Sequence, residues 1–286
     1  MESVRVSNRK CLCVSSVVVL AVAAMLAAAS CEPHEEMKPE KEAVLTPTEG
    51  QFSITTVYDN YQVNPALTTA WGFGCVIRTA QEGILFDTGG DSSILLGNME
   101  KMGISPEDID IVVISHIHGD HVGGLDGFLE RNGKVEVYIP ASFPDSLREK
   151  IKSRGAEYRD VTGCIKICDG VYTTGEMGSS IREQSLVLNT GEGLVVITGC
   201  AHPGIVSIVE KARRVLPDRS IYLVMGGFHL SGASDSQLKG IIEGFRGLGV
   251  QKVAPCHCSG DRCRELFRQE YGENYVEGGA GNTISF

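Results

Sequence analysis

His116-Ile117-His118-Gly119-Asp120-His121 packs three imidazoles and a carboxylate into six residues. Two histidines one residue apart in a tight turn can direct both rings at one cation. An aspartate and a histidine just beyond them can serve a second cation beside it. Imidazole nitrogen and carboxylate oxygen suit zinc first, and also iron or manganese, so residue type narrows the metal without selecting it. Two divalent cations lower the pKa of a shared water toward neutrality and so supply hydroxide for attack on a carbonyl, phosphorus or sulfur centre. Gly119 inside the turn, with Gly123 and Gly124 after it, permits backbone angles and close approaches that larger residues block.

Donors held at one point need rigid elements behind them. Short apolar runs rich in Val and Ile recur, each followed at once by glycine and polar residues: 83–86 before Asp87, 109–114 before His116, 194–197 before Cys200 and His202, 221–224 before His229, and 250–254 before His257. Such runs read as buried strands, because β-branched side chains suit a pleated surface covered on both faces. Residues 205–216 and 236–248 carry helical periodicity between them, and 283–286 reads as a short final strand after a glycine-rich loop. Every candidate polar group therefore follows the C-terminal end of a strand, the edge at which layered α/β proteins bind ligands.

Ser115-His116-Ile117-His118-Gly119-Asp120-His121-Val122-Gly123-Gly124-Leu125 resembles the signature of the metallo-β-lactamase superfamily. Leu85-Phe86-Asp87-Thr88-Gly89 resembles that family's earlier aspartate motif, which implies that Asp87 braces the metal loop by hydrogen bonding. The resemblance covers residues 51–286 and implies an α/β fold, a four-layered αββα sandwich with two metals at its edge. It further implies that His116, His118, Asp120 and His121 are ligands, with Asp120 touching the second metal and orienting the attacking water.

The later motifs depart from the pattern. Thr198-Gly199-Cys200 stands where a strand usually ends in Gly-Asp, so Cys200 takes the place of the bridging aspartate, and a thiolate is a competent zinc ligand. The histidine expected before it is missing from Ile181-Arg182-Glu183-Gln184-Ser185-Leu186, and His202 is the available replacement. Val253-Ala254-Pro255-Cys256-His257-Cys258-Ser259 resembles the final histidine motif and nominates His257 as a ligand. His229, in Gly226-Gly227-Phe228-His229-Leu230, resembles a histidine that donates a proton to the leaving group in some superfamily nucleases and phosphodiesterases; a ligand role and a hydrogen-bonding role are the alternatives. Together these segments resemble the branch known as dihydropterin ribofuranosyl-aminobenzene phosphate synthase-like metal-dependent hydrolases.

The function so implied is metal-activated hydrolysis of an ester-type small molecule: a phospho-, sulfo- or carboxylic ester, or a lactone. An iron-dependent redox enzyme on the same fold and a non-catalytic metal- or ligand-binding protein are the alternatives. No Gly-x-Ser-x-Gly nucleophile elbow occurs, and the glycines at 278–281 lack the Lys-Ser or Lys-Thr of a phosphate loop. A net charge of −10 over 286 residues, with no basic stripe, excludes a nucleic-acid footprint.

Residues 1–30 differ in composition from the rest. Arg5, Arg9 and Lys10 precede an apolar run ending in Leu26-Ala27-Ala28-Ala29-Ser30-Cys31, the pattern of an export signal with a lipobox. The run is shorter than the roughly 20 residues a bilayer span requires. The expectation is an exported chain anchored to a membrane by a lipid on Cys31, with residues 31–50, rich in Pro, Glu and Lys, as a flexible tether. Seven cysteines follow (Cys75, Cys164, Cys168, Cys200, Cys256, Cys258 and Cys263), an odd number without a disulfide framework. Buried thiols are the favoured reading of the close group at 256, 258 and 263, ahead of a local disulfide or an additional soft metal site.

Overall fold

The computed structural model describes residues 52–286. The expected export signal, Cys31 and the tether lie outside the described residues. Among the described residues no helix is long and apolar enough to cross a membrane.

Among the described residues thirteen strands form two sheets. β1 (Ser53–Asp59), β2 (Phe73–Arg78), β3 (Gly83–Phe86), β4 (Ile111–Val113), β5 (Glu136–Pro140), β6 (Glu157–Val161) and β13 (Thr283–Ser285) make the first, in the order β13-β1-β2-β3-β4-β5-β6. β7 (Lys166–Cys168), β8 (Val171–Thr173), β9 (Leu186–Thr190), β10 (Gly193–Thr198), β11 (Ile221–Gly227) and β12 (Lys252–Cys256) make the second, in the order β12-β11-β10-β9-β8-β7. Both follow one plan. An antiparallel meander, β1 to β3 or β7 to β10, gives way to parallel strands joined by helices.

Pleating sorts the side chains between layers, since successive residues of a strand face opposite ways. Val195 and Ile197 of β10 join Phe73, Ile77, Phe86, Val113, Leu223 and Met225 in the core between the sheets. Their neighbours Leu194 and Val196 face outward, onto α5 (Ile205–Val215), α6 (Asp235–Gly247) and α7 (Asp261–Tyr271), counting helices in chain order. On the other side, Leu85 and Val112 meet α1 (Ser92–Lys101), α3 (Leu125–Arg131) and α4 (Asp145–Ser153), while α2 (Gly119–Val122) is a single turn. The result is the expected αββα sandwich. Each fully buried Leu, Ile or Phe in these layers contributes about 1.5–3 kcal/mol.

Local signals set the helix starts. Asp91 accepts from Ser93 N–H (2.7 Å) and Ile94 N–H (3.3 Å) at the head of α1. Ser234 and Gln237 form a reciprocal capping box at the head of α6. The run 109–114 yields a shorter strand than its composition predicts, because a 3-10 turn at Pro106–Asp108 precedes it and the chain beyond Val113 leaves the ladder for the metal loop. The final run likewise enters its ladder late, at Lys252.

Candidate metal centre

Parallel strands β3, β4, β10, β11 and β12 end on one edge, and the loops beyond them carry every candidate group. Four of these loop residues, Asp87, Ala201, His229 and His257, hold left-handed backbone with φ of 57°, 59°, 55° and 46°; no other non-glycine residue described does so. That conformation costs an L-residue about 1–2 kcal/mol and persists where surrounding structure enforces it.

Asp87, fully buried, organises the first loop. Its Oδ1 accepts from Ser115 N–H (2.7 Å), and its Oδ2 accepts from the Ser115 hydroxyl (2.6 Å) and from His121 Nδ1 (2.7 Å). A carboxylate only accepts, so His121 donates through Nδ1, and Nε2 is the nitrogen it can offer to a cation. Because the Ser115 proton is committed to Asp87, Ser115 Oγ accepts from His116 Nδ1 (2.9 Å), which leaves His116 Nε2 bare as well. One carboxylate thus sets the tautomer of two imidazoles. Gly123 and Gly124 follow: a Cβ on the first would fall 2.3 Å from Gly90 O, and on the second 2.2 Å from Thr88 O. Gly119, by contrast, has open space around it, so the close approach expected there belongs to the later pair.

The second loop depends on a residue whose role the sequence did not disclose. Glu183, 1% exposed, accepts from the backbone N–H groups of Cys200 (2.9 Å), Ala201 (2.8 Å) and His202 (2.8 Å). It stands in the segment that lacks the expected histidine. Burial raises its pKa, and the three N–H donors pull the other way. Its grip on Cys200, Ala201 and His202 accompanies left-handed backbone at Ala201 and a His202 ring that approaches the first loop. The third loop is tied by Asn60, which had no signal in the sequence: its Oδ1 accepts from His257 Nδ1 at 2.9 Å, across 197 positions.

The donors converge in two groups. His116 Nε2 and His118 Nδ1 lie 3.1 Å apart, and the His202 ring centre is 4.8 Å from that of His116 and 4.9 Å from that of His118. Asp120 Oδ2 lies 3.3 Å from His257 Nε2 and 3.6 Å from His121 Nε2, and Cys200 Sγ is 3.2 Å from His121 Nε2. Cys200 Sγ is within 4.8 Å of donors in both groups. His229 is exposed; its ring centre is 4.4 Å from that of His202, and the Cys258 thiol hydrogen-bonds to it. Cys75, Cys200, Cys256, Cys258 and Cys263 are buried free thiols, the reading favoured from the sequence for the group at 256, 258 and 263.

The charges suit cation binding. Burial, then the crowd of imidazoles His121, His202, His118 and His257, drives His116 far below its ordinary pKa. Burial and then His229 push His202 down to about 4. Both are neutral at pH 7, as ligation requires. Burial would raise Asp120, but the close approach of His257 and the charge on His121 outweigh it and hold the carboxylate well below its usual range. For His121, burial is outweighed by Asp87, which raises it. Of the two adjacent thiols Cys258 ionises first, drawn down by its hydrogen bonds with Cys200 and His229.

The residues fit two divalent cations on a physical ground. His202 Nε2 and His257 Nε2 are buried nitrogens without a hydrogen-bond partner; the 3.3 Å approach of Asp120 to the latter is not aligned as one. Buried polar atoms left unpaired are costly, and a cation bound at these two nitrogens would satisfy them.

Trp71, 57% exposed, tilts over the His257 ring at 4.8 Å, and Ile117, 37% exposed, stands inside the first motif. A groove of about 630 Å³ is lined by His229, Leu230, Ala233 and Ile241 among others.

Comparison with known proteins agrees with this geometry. The family model described as "Metallo-beta-lactamase superfamily" matches residues 75–216. The chain is 27% identical to 7,8-dihydropterin-6-methyl-4-(beta-D-ribofuranosyl)-aminobenzene-5'-phosphate synthase of Methanocaldococcus jannaschii, over 82% of this chain and 97% of that one. Among solved structures it resembles Tm1679, described as a metal-dependent hydrolase of the beta-lactamase superfamily, with 28% identity, a TM-score of 0.67 and coverage of 82% and 98%. It also shares the fold of YhfI from Bacillus subtilis, at 14% identity, a TM-score of 0.63 and coverage of 83% and 100%. Sequence match, shared architecture and a donor cluster at the common strand edge place this chain in the metallo-β-lactamase superfamily.

Proposed function

We propose that this protein is a metal-dependent hydrolase of a small ester-type substrate, a phospho-, sulfo- or carboxylic ester or a lactone. The observation that carries the reading is the convergence of buried imidazoles, of which His202 and His257 have an unpartnered Nε2, around one solvent-reachable carboxylate. The Asp120 side chain is 22% exposed, whereas that of Asp87 is fully buried. His116, His118 and His202 would hold one cation and Asp120, His121 and His257 the other, with Cys200 between them. When bound, such cations supply hydroxide near neutral pH and stabilise negative charge developing on the substrate.

The chain's own groups do the rest. Asp120, held ionised by its imidazole neighbours, orients the attacking water. His229, whose pKa is raised foremost by its hydrogen bond with Cys258, keeps a proton for the leaving group at the mouth of the groove. Trp71 and Ile117 offer an apolar rim to the organic part of the substrate. Tm1679, at 28% identity, is described as a hydrolase, which supports the reaction class. The archaeal relative carries the name of a synthase, and its substrate is not transferred. The Cys31 export pattern supports a reaction outside the cytoplasm, away from cofactor biosynthesis.

The test is turnover of a panel of phosphate, sulfate and carboxylate esters and lactones by the zinc-loaded protein, beside Asp120→Ala. The variant should keep its thermal melting and lose at least about 100-fold in activity. Full activity in the variant, or no turnover of any class with both cations bound, overturns the proposal.

A further inference from the structure

Cys258 plays no direct part in hydrolysis as proposed, yet it completes a third donor set. Cys200 Sγ, Cys258 Sγ and a His229 ring nitrogen lie within 4.8 Å of one another. The arrangement is built into the backbone. Leu230 N–H and Ser231 N–H both donate to Cys258 O, at 3.2 and 3.3 Å, which locks the loop after β11 against the loop after β12. His229 holds left-handed backbone, with φ of 55°. Gly227 keeps the space at the sulfur clear, for a Cβ there would fall 2.7 Å from Cys258 Sγ. Cys258 is 4% exposed, while His229 is exposed and lines the groove, so a cation has a way in from solvent to a protected pair of sulfurs.

Two thiolates and one imidazole are a soft donor set. They suit zinc, cadmium or monovalent copper and reject magnesium, calcium and manganese, which prefer oxygen. We propose that Cys200, Cys258 and His229 form a third cation site for soft metal ions, in which the Cys200 thiolate is shared with the Asp120, His121 and His257 site. Binding forms two sulfur–metal bonds and one nitrogen–metal bond. Thiols that begin protonated release their protons to solvent, and nothing is oxidised or reduced.

Occupation also has a catalytic consequence, which rests on the hydrolytic reading whereas the site does not. A His229 nitrogen bound to a cation cannot carry the proton meant for a leaving group. The third site is therefore inhibitory: a soft metal in excess of two equivalents slows the enzyme.

The test titrates the metal-stripped chain with cadmium. It counts cadmium per chain after desalting and follows the ultraviolet thiolate-to-cadmium charge-transfer band. The wild type should retain three ions. Cys258→Ser should retain two, with the band reduced by about half as one of two thiolate ligands is lost. His229→Ala, an exposed position that leaves the core intact, should also retain two and lose a similar share of the band, since Cys258 binds cadmium only through the third ion. Two ions in the wild type, with a band indifferent to Cys258→Ser, overturn this site and leave the hydrolase reading standing. No bound cadmium at all overturns both. Three ions without inhibition by excess zinc keep the site and overturn its catalytic consequence.

Discussion

Two buried carboxylates shape the metal centre in different ways. Asp87 reaches imidazole rings, His121 directly and His116 through Ser115, so it sets both where those ligands point and which nitrogen each offers. Glu183 reaches only main-chain N–H groups, those of Cys200, Ala201 and His202, so it sets the path of a loop and leaves the chemistry of its side chains alone. One brace tunes ligands, and the other places them. The N-terminal half could therefore keep its donors in one contiguous motif, whereas the C-terminal half assembles Cys200, His202 and His257 from separate strand ends.

Replacement of Glu183 probes placement and should have the largest effect. Glu183→Ala strands three buried N–H groups and should cost about 3 kcal/mol in urea denaturation of the metal-free protein. Loss of zinc should accompany it as His202 drifts from His116. An unchanged denaturation midpoint would show that Ala201 holds its conformation without help. Asp87→Asn probes tuning and comes next. It should weaken zinc binding by about 10–100-fold in competition with a chromophoric chelator. A loss of stability as large as that of Glu183→Ala would erase the distinction between the two braces.

The third test uses protons. In the folded, metal-free chain His202 is lowered to about 4 from an ordinary 6.5, so between those values the unfolded chain holds a proton that the folded one does not. Stability from this group therefore falls as the pH drops through that window, and His202→Ala should flatten the slope of thermal melting against pH. His121 is raised, through Asp87, and acts with the opposite sign: its contribution is present at low pH and lost as the pH rises through its folded value. Asp87→Asn should consequently remove the loss of stability that His121 contributes as the pH rises above 6.5. The smallest effect belongs to the rim. Trp71→Ala should raise KM about 10-fold, near 1.4 kcal/mol, with zinc content unchanged.

The contrast between the braces also explains what could be read from the sequence. The His116–His121 motif is legible because its donors are neighbours and their spacing is their geometry. Strand ends were legible too, since β-branched runs stop at glycine before Cys200, His229 and His257. The role of Glu183 was not, because its partners are backbone N–H groups, which every residue but proline carries. Asn60 was hidden for another reason: it follows β1 of the first sheet, and only the packing of the second sheet against the first brings it to His257, 197 positions away. Run length overstated β4, because composition cannot show where a chain leaves its ladder to approach a metal.

The four left-handed residues at the strand ends set a direction for sequence drift. Asp87, His229 and His257 cannot change to glycine without giving up a side chain that the centre uses. Ala201 can, because its methyl group belongs to the outer core and supplies no donor atom. A population selected for heat resistance alone should therefore find glycine at 201 early, relieving an unfavourable conformation by about 1 kcal/mol. The same change would loosen the hinge between Cys200 and His202. Tolerance to heat and fidelity of metal capture would then pull this one position in opposite directions.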